Sequence, residues 1–331
     1  MTEPHTTRRR FLGVSLAAAL AGIAGCNAQG SGDDPTTTNE TTQTTQSTTQ
    51  STTTAAQERG PRNGDQLPTD EHPANGYPPE FDYEPESRSV DPSTFDSVMR
   101  GDIEVKLVPI DVAYYWYVQG EARFADARSE TAYHVSHVLG AVSTPIMNMD
   151  NGMRATEPTY SWPKDDRIVT YCDCPHHLAA MLAADLKNRG WETVYAIDEG
   201  FGAWRDNNYP MAGSDTTRSP PERVIEGRTD PKYAGETAMV THEPTNQVEA
   251  TQIKDDGSYT MSLHFVNVTD SAEVRVETPA YELTATLSAL QSGYVSRDGT
   301  VVSTGGDSTS TTNSTSTTNS TSTMNSFVRR S

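Results

Sequence analysis

Two cysteines and two histidines fall within the short stretch "VTYCDCPHHLAA", residues 169–180. Their types and spacing admit four chemistries. Cys172 or Cys174 is a nucleophile once it is a thiolate. The two thiols, one residue apart, form a redox pair whose disulfide would be strained and readily reduced. Cys172, Cys174, His176 and His177 together are soft metal ligands. Adjacent ligands in so short a loop chelate poorly, however, and structural zinc sites space their cysteines by two to four residues. The fourth reading is a packed turn, because free cysteines are commonly buried as small hydrophobes.

The elements around the cluster favour the nucleophile. "RIVTY" (167–171) is a continuous β-branched run, the pattern of a strand buried on both faces. Leu178, Met181, Leu182 and Leu186 then recur at helical spacing, and Gly190 supplies the stop. Cys172 therefore falls at the carboxyl end of a strand running into a helix, where free backbone N–H groups stabilise an anion. Around it, "ARFADAR", "GAVSTP" and "ETVYAI" read as strands, and "SETAYHVSHV" and "GFGAWRD" as helices. Strands alternating with helices predict an α/β fold, a parallel sheet with helices on both faces. In such sheets the functional loops lie at the carboxyl ends of strands.

Three ordered blocks over about 110 residues resemble the rhodanese domains. In "DARSETAYHVSHVLGAVSTP" (126–145), Asp126, Arg128, Tyr133, His137, Gly140, Ala141 and Pro145 occupy the positions of the family signature, with Ser136 in place of the usual glycine. "VTYC" matches the strand that ends in the active-site cysteine. "EGFGAWRDNNYP" (199–210) matches the closing segment at Gly200, Ala203, Trp204 and Pro210. The resemblance implies a sulfurtransferase without a cofactor, in which Cys172 takes a sulfane sulfur as a persulfide and passes it to a thiol or cyanide-like acceptor. It makes Asp173, Pro175, His176, His177 and Leu178 the anion-binding loop and Cys174 a candidate resolving thiol. Asp126, Arg128, His137, Gly140 and Trp204 become structural positions, with Asp126 and His137 away from the sulfur. The loop departs from the family: Pro175 stands for glycine, His177 for arginine and Leu178 for a small residue. A histidine donates a hydrogen bond to an anion and is charged at lower pH, and proline removes one backbone donor. Loop length is that of the sulfurtransferases, and the related phosphatases need one more residue and an arginine clamp. The alternatives are a non-catalytic module of the same fold, or a surface protein handling redox or metal chemistry through Cys172, Cys174, His176 and His177.

The remaining chain sets the context. Thr7-Arg8-Arg9-Arg10-Phe11-Leu12 matches a twin-arginine export signal, followed by an apolar run too short to span a bilayer. Ile23-Ala24-Gly25-Cys26 looks like a lipobox, which predicts lipidation of Cys26 and anchoring on the outer membrane face. The expected layout is a signal at 1–26, a Thr/Pro-rich disordered stalk at 27–95, the rhodanese-like domain at 96–215, a small all-β sandwich at 220–304 and a disordered Ser/Thr/Asn tail at 305–331. "VEATQIKDDGSYTMSL" resembles the hairpins of carboxypeptidase-regulatory-like and Ig-like modules. Asn39, Asn267, Asn313 and Asn319 fit glycosylation tripeptides, with Asn267 alone lying outside a Ser/Thr-rich tract. Net charge is −20 over 331 residues, with only five lysines. No basic stripe offers itself to nucleic acid, and an acidic, lysine-poor surface suits a salty solvent.

Overall fold

Burial at every position of two short strands sets the middle of the first half of the fold. The computed structural model describes residues 66–83, 85–146, 157–173 and 175–303. The export signal with Arg8 and Arg9, the lipobox Cys26, the threonine tract, Cys174 and the tail from 304 lie outside the described residues. The chain opens with β1 (Ser97–Arg100), β2 (Ile103–Val108) and α1 (Ile110–Val118), then β3 (Arg123–Asp126), α2 (Glu130–Val135), β4 (His137–Val138) and β5 (Val142–Ser143). It continues through β6 (Ile168–Tyr171), α3 (His177–Asn188), β7 (Val194–Ile197), α4 (Gly200–Asp206) and β8 (Met211–Ala212). Six strands form one sheet in the order β1-β2-β7-β6-β3-β5, parallel throughout except for β1. β3 and β6 are buried at all positions, as fits strands with neighbours on both sides and cover on both faces.

Successive strand residues feed two different clusters. Val105, Leu107, Ala125, Ile168, Val194 and Ala196 pack with the Leu178, Leu182 and Leu186 stripe of α3. Val108, Phe124, Val169, Tyr171 and Ile197 pack instead with α1 and with Phe201 and Trp204 of α4. The alternation follows from the two-residue period of a strand.

The segment assigned to a stalk through residue 95 departs from that expectation from residue 66 onward. Tyr77 is buried, and the Gly76 N–H donates to Gly140 C=O at 2.8 Å while the Phe124 N–H donates to Gly76 C=O at 2.8 Å. Phe81, Val90 and Phe95 pack against the α1–α4 cluster, and Arg88 pairs with Asp111 at 2.9 Å. A few large aromatics in a Pro- and acid-rich stretch suffice to bind it down, because each buries a large apolar area. Position 140 requires glycine: at φ +90 a Cβ would come within 2.1 Å of the Tyr77 carbonyl oxygen.

Beyond Pro221 the described chain is almost entirely β. It comprises β9 (Arg223–Arg228), β10 (Thr237–His242), β11 (Gln247–Gln252), β12 (Ser258–Leu263), β13 (Glu273–Glu277) and β14 (Glu282–Thr286). A short helix α5 (Leu287–Gln291) precedes β15 (Gly293–Val295) and β16 (Val301–Ser303). Two four-stranded sheets result, β11-β10-β13-β14 and β12-β9-β15-β16, sharing one cluster that contains Val240, Val276, Ile225, Met261 and Leu290. The β half also touches the first half: Ala250 of β11 and Met239 of β10 join the α3 cluster, and Thr131 Oγ1 donates to Thr245 C=O at 2.9 Å.

Candidate active site

Cys172 follows the last residue of β6 and its side chain has no exposed surface. The Phe201 N–H at the start of α4 donates to the Cys172 carbonyl at 2.7 Å, which ties the strand end to the neighbouring helix. After it the chain passes Asp173 and an exposed Pro175 and enters α3 with His176 as N-cap. His176 holds φ at +43, a left-handed conformation that side chains other than glycine and asparagine rarely adopt. The first hydrogen bond of α3 runs from the Ala180 N–H to the His176 C=O at 2.7 Å. The amides of His177, Leu178 and Ala179 precede it, so none has an acceptor within the helix. Leu178 presents only its amide to the loop, since its side chain is in the core.

Asp173 does not offer its side chain to an anion. Its carboxylate accepts from Arg128 Nη1 at 2.8 Å, and the same guanidinium bonds Asp126 through Nε and through Nη2 at 2.7 Å. Arg128 Nη2 also donates to Ser136 C=O at 2.7 Å, and the group lies over the Phe201 ring at 4.2 Å. Burial disfavours its charge, but Asp126 and then Asp173 outweigh this and hold Arg128 well above the ordinary arginine range. The Asp126–Arg128 pair therefore reaches the cysteine loop through Asp173.

His137 donates from Nδ1 to Tyr133 C=O at 2.8 Å and stacks on the Tyr133 ring at 3.7 Å, with β4 paired to β8. Burial lowers its pKa. Trp204 is fully buried and donates from Nε1 to Pro210 C=O at 3.0 Å.

His177 differs from its expected part as a group that charges at modestly acid pH. It is 6 % exposed, and burial first, then Arg100 and His176, push its pKa down to about 3. Arg100 Nη2 lies 3.1 Å from His177 Nδ1. A guanidinium only donates, so Nδ1 is the acceptor and the ring proton sits on Nε2. His176 Nδ1 faces the Asp198 carbonyl and carboxylate, both at 3.2 Å. Among the described residues no group of three or more His, Cys, Asp or Glu is arranged to hold a metal ion. The metal reading also needs Cys174, outside the described residues, and a His177 lone pair that already faces a cation.

Arg100 and Asp198 were not singled out in the sequence. "MRGDIEV" does carry a hairpin signal, a two-residue Gly-Asp loop between extended runs. Nothing in a single sequence connects that turn to a loop 77 residues later.

A model of the rhodanese-like domain matches residues 116–207. The chain carries a rhodanese-like domain. Thiosulfate sulfurtransferase GlpE of Vibrio cholerae serotype O1 is 27% identical over 108 residues, which cover 32% of this chain and 94% of that protein. Among solved structures, the rhodanese-like domain of the Anabaena sp. Alr3790 protein is 21% identical, covers 35% of this chain and 84% of that one, and gives a TM-score of 0.29. Thiosulfate sulfurtransferase from Pseudomonas aeruginosa is 26% identical, covers 28% of this chain and 17% of that one, and gives 0.23. Cys172, Arg128 and α4 all lie inside the stretch that matches the rhodanese-like domain, whereas Arg100 precedes it.

Proposed function

We propose that the rhodanese-like domain is a sulfurtransferase that carries sulfane sulfur on Cys172. The observation that supports it is the placement of Cys172 between the end of β6 and the first turn of α3, whose amides at His177, Leu178 and Ala179 have no acceptor within the helix. In the proposed reaction the Cys172 thiolate attacks the outer sulfur of a donor such as thiosulfate. A new S–S bond forms at Cys172, the donor S–S bond breaks, and sulfite leaves with that electron pair. An acceptor nucleophile then takes the outer sulfur and returns Cys172 as thiolate. Helix-start amides stabilise the negative charge on the persulfide. Cys174 is the proposed resolving thiol: its thiolate would attack the Cys172 sulfur of the persulfide, the S–S bond of the persulfide would break, hydrosulfide would leave, and a thiol reductant would reopen the Cys172–Cys174 disulfide.

Cyanide added to thiosulfate-treated protein should release thiocyanate, with a mass increase of one sulfur on Cys172 before cyanide is added. Cys172→Ser should reduce release at least about a thousandfold, the scale for losing a covalent nucleophile. Equal release from wild type and variant ends the sulfurtransferase reading. It would leave the second reading, a binding module of the same fold, which the complete burial of the Cys172 side chain favours.

The proposed setting is a protein exported by the twin-arginine route and held on the outer membrane face by a lipid on Cys26. Support comes from the Arg8-Arg9 pair, the short apolar run and the Ile23-Ala24-Gly25-Cys26 sequence. In this layout the catalytic unit spans 96–215, the second unit 220–304, and the stalk ends where residues 66–95 begin to pack on the first. Cys26→Ala should move the protein from the membrane to the soluble fraction, and unchanged membrane retention would contradict the lipid anchor.

A further inference from the structure

We propose that Arg100, delivered from the β1–β2 turn, is the anion-binding cation of the Cys172 site and replaces the arginine that the loop itself lacks. The inference rests on the sulfurtransferase reading for its substrate, but its geometry stands apart from it. Arg100 ends β1 and is followed by Gly101 at φ +58, so the hairpin turns immediately after it. Its guanidinium bonds His177 Nδ1 at 3.1 Å and Met99 C=O at 2.9 Å. No carboxylate is within ion-pair distance of Arg100 among the described residues, in a chain with 45 acidic residues. A half-buried arginine left without an anion in so acidic a protein is a site for an anionic ligand.

Two further donors in this pair of side chains lack a partner. Arg100 Nε and His177 Nε2 are both buried and without a hydrogen-bond acceptor. Because Arg100 occupies Nδ1, the Nε2 of neutral His177 carries a proton. His177 is more than nine-tenths buried, and buried donors are nearly always satisfied in native proteins. An anion beside Cys172 would give the Arg100 guanidinium the acceptor it lacks. Burial lowers the pKa of Arg100, and a charge on Cys172 would act in the opposite direction, which places the guanidinium within electrostatic reach of the sulfur. The Pro175 and His177 changes in the loop then have a counterpart outside it. The loop has histidine at 177 and no N–H at Pro175, and the β1–β2 hairpin supplies a guanidinium from the edge of the sheet.

Iodoacetate and iodoacetamide separate this role without any need for turnover. The first is an anion and the second its neutral counterpart, so the ratio of their alkylation rates at Cys172 reads the local positive charge. The ratio is followed in the full chain by fragment-resolved mass spectrometry, which distinguishes Cys172 from Cys174. In the wild type it should exceed that of free cysteine. Arg100→Gln should lower it about tenfold, as expected for removing one nearby charge in a partly shielded site, and Arg100→Lys should restore part of it. In thiosulfate turnover the Gln variant should raise KM more than it lowers kcat. An unchanged ratio in Arg100→Gln overturns the proposal, and so does failure of both reagents to reach Cys172 in the wild type. If the Gln variant does not fold, a Lys variant with a ratio below that of the wild type sustains the proposal and one with the wild-type ratio overturns it. Absence of thiocyanate release together with a ratio that depends on Arg100 would end the sulfurtransferase reading and keep the anion site. Release with an unchanged ratio would do the reverse.

Discussion

Burial holds His177 neutral in the folded chain, with Arg100 and His176 adding repulsion to any proton it takes. Its pKa of about 3 lies below the ordinary histidine value of 6.5. In the unfolded chain the ring binds a proton once the pH falls below about 6.5, whereas in the folded chain it stays neutral down to about 3. Protons therefore favour the unfolded state inside that window. The contribution of this group to stability is complete above about 6.5 and is lost as the pH falls toward 3, by at most about 1.4 kcal/mol per pH unit. His177→Gln should flatten the fall in urea midpoint between pH 6.5 and 4 relative to wild type. Parallel midpoint curves for the two proteins would contradict the buried, neutral assignment. Carboxylates contribute to acid sensitivity in both proteins, so the difference between the curves isolates His177.

At the level of elements, legibility followed whether a segment's pattern is local. β3, β6, β7, α3 and α4 were readable because a β-branched run or a spaced leucine stripe announces itself within one window. Their order around "DARSETAYHVSHV" carried the rhodanese-like likeness and placed Cys172 at a strand end. α1 was not read as a helix. Val112, Ala113, Tyr115, Trp116, Tyr117 and Val118 are all buried, so no polar face gives it a period. The β1–β2 hairpin escaped for the opposite reason. β1 alternates between exposed and half-buried residues at the sheet edge, with little apolar signal of its own. Residues 66–95 read as linker because proline and acidic residues dominate their composition, while their binding rests on a few scattered apolar side chains, Tyr77, Phe81, Val90 and Phe95, with the Arg88–Asp111 pair and the Gly76 backbone bonds. The loop residues were legible as types but not as states. Burial makes His177 a neutral donor, and the Asp173 carboxylate turns to Arg128, and neither fact is encoded within ten residues of Cys172.

Across the whole described molecule, α3 lies between two β layers. Its leucine stripe faces the six-stranded sheet, and Ala250 of β11 with Met239 of β10 close the same cluster from the β half. That cluster contains Cys172, so packing of the β half bears on the helix that follows the reactive loop. The tryptophans give a one-sided reporter. All four, Trp116, Trp162, Trp191 and Trp204, lie in the first half, and the β half has none. Ala250 is 3 % exposed, and glutamate there would bury a carboxylate without a partner. A cost of about 3 kcal/mol is the scale for an unpaired buried charge, reduced where the carboxyl takes up a proton instead. If the β half supports α3, Ala250→Glu should lower the urea midpoint of tryptophan fluorescence even though the substitution lies outside the tryptophan-bearing half. Far-ultraviolet circular dichroism should move with it. A tryptophan transition that stays in place while the dichroism shifts would mean that the halves unfold independently, and that α3 needs nothing from the β layer.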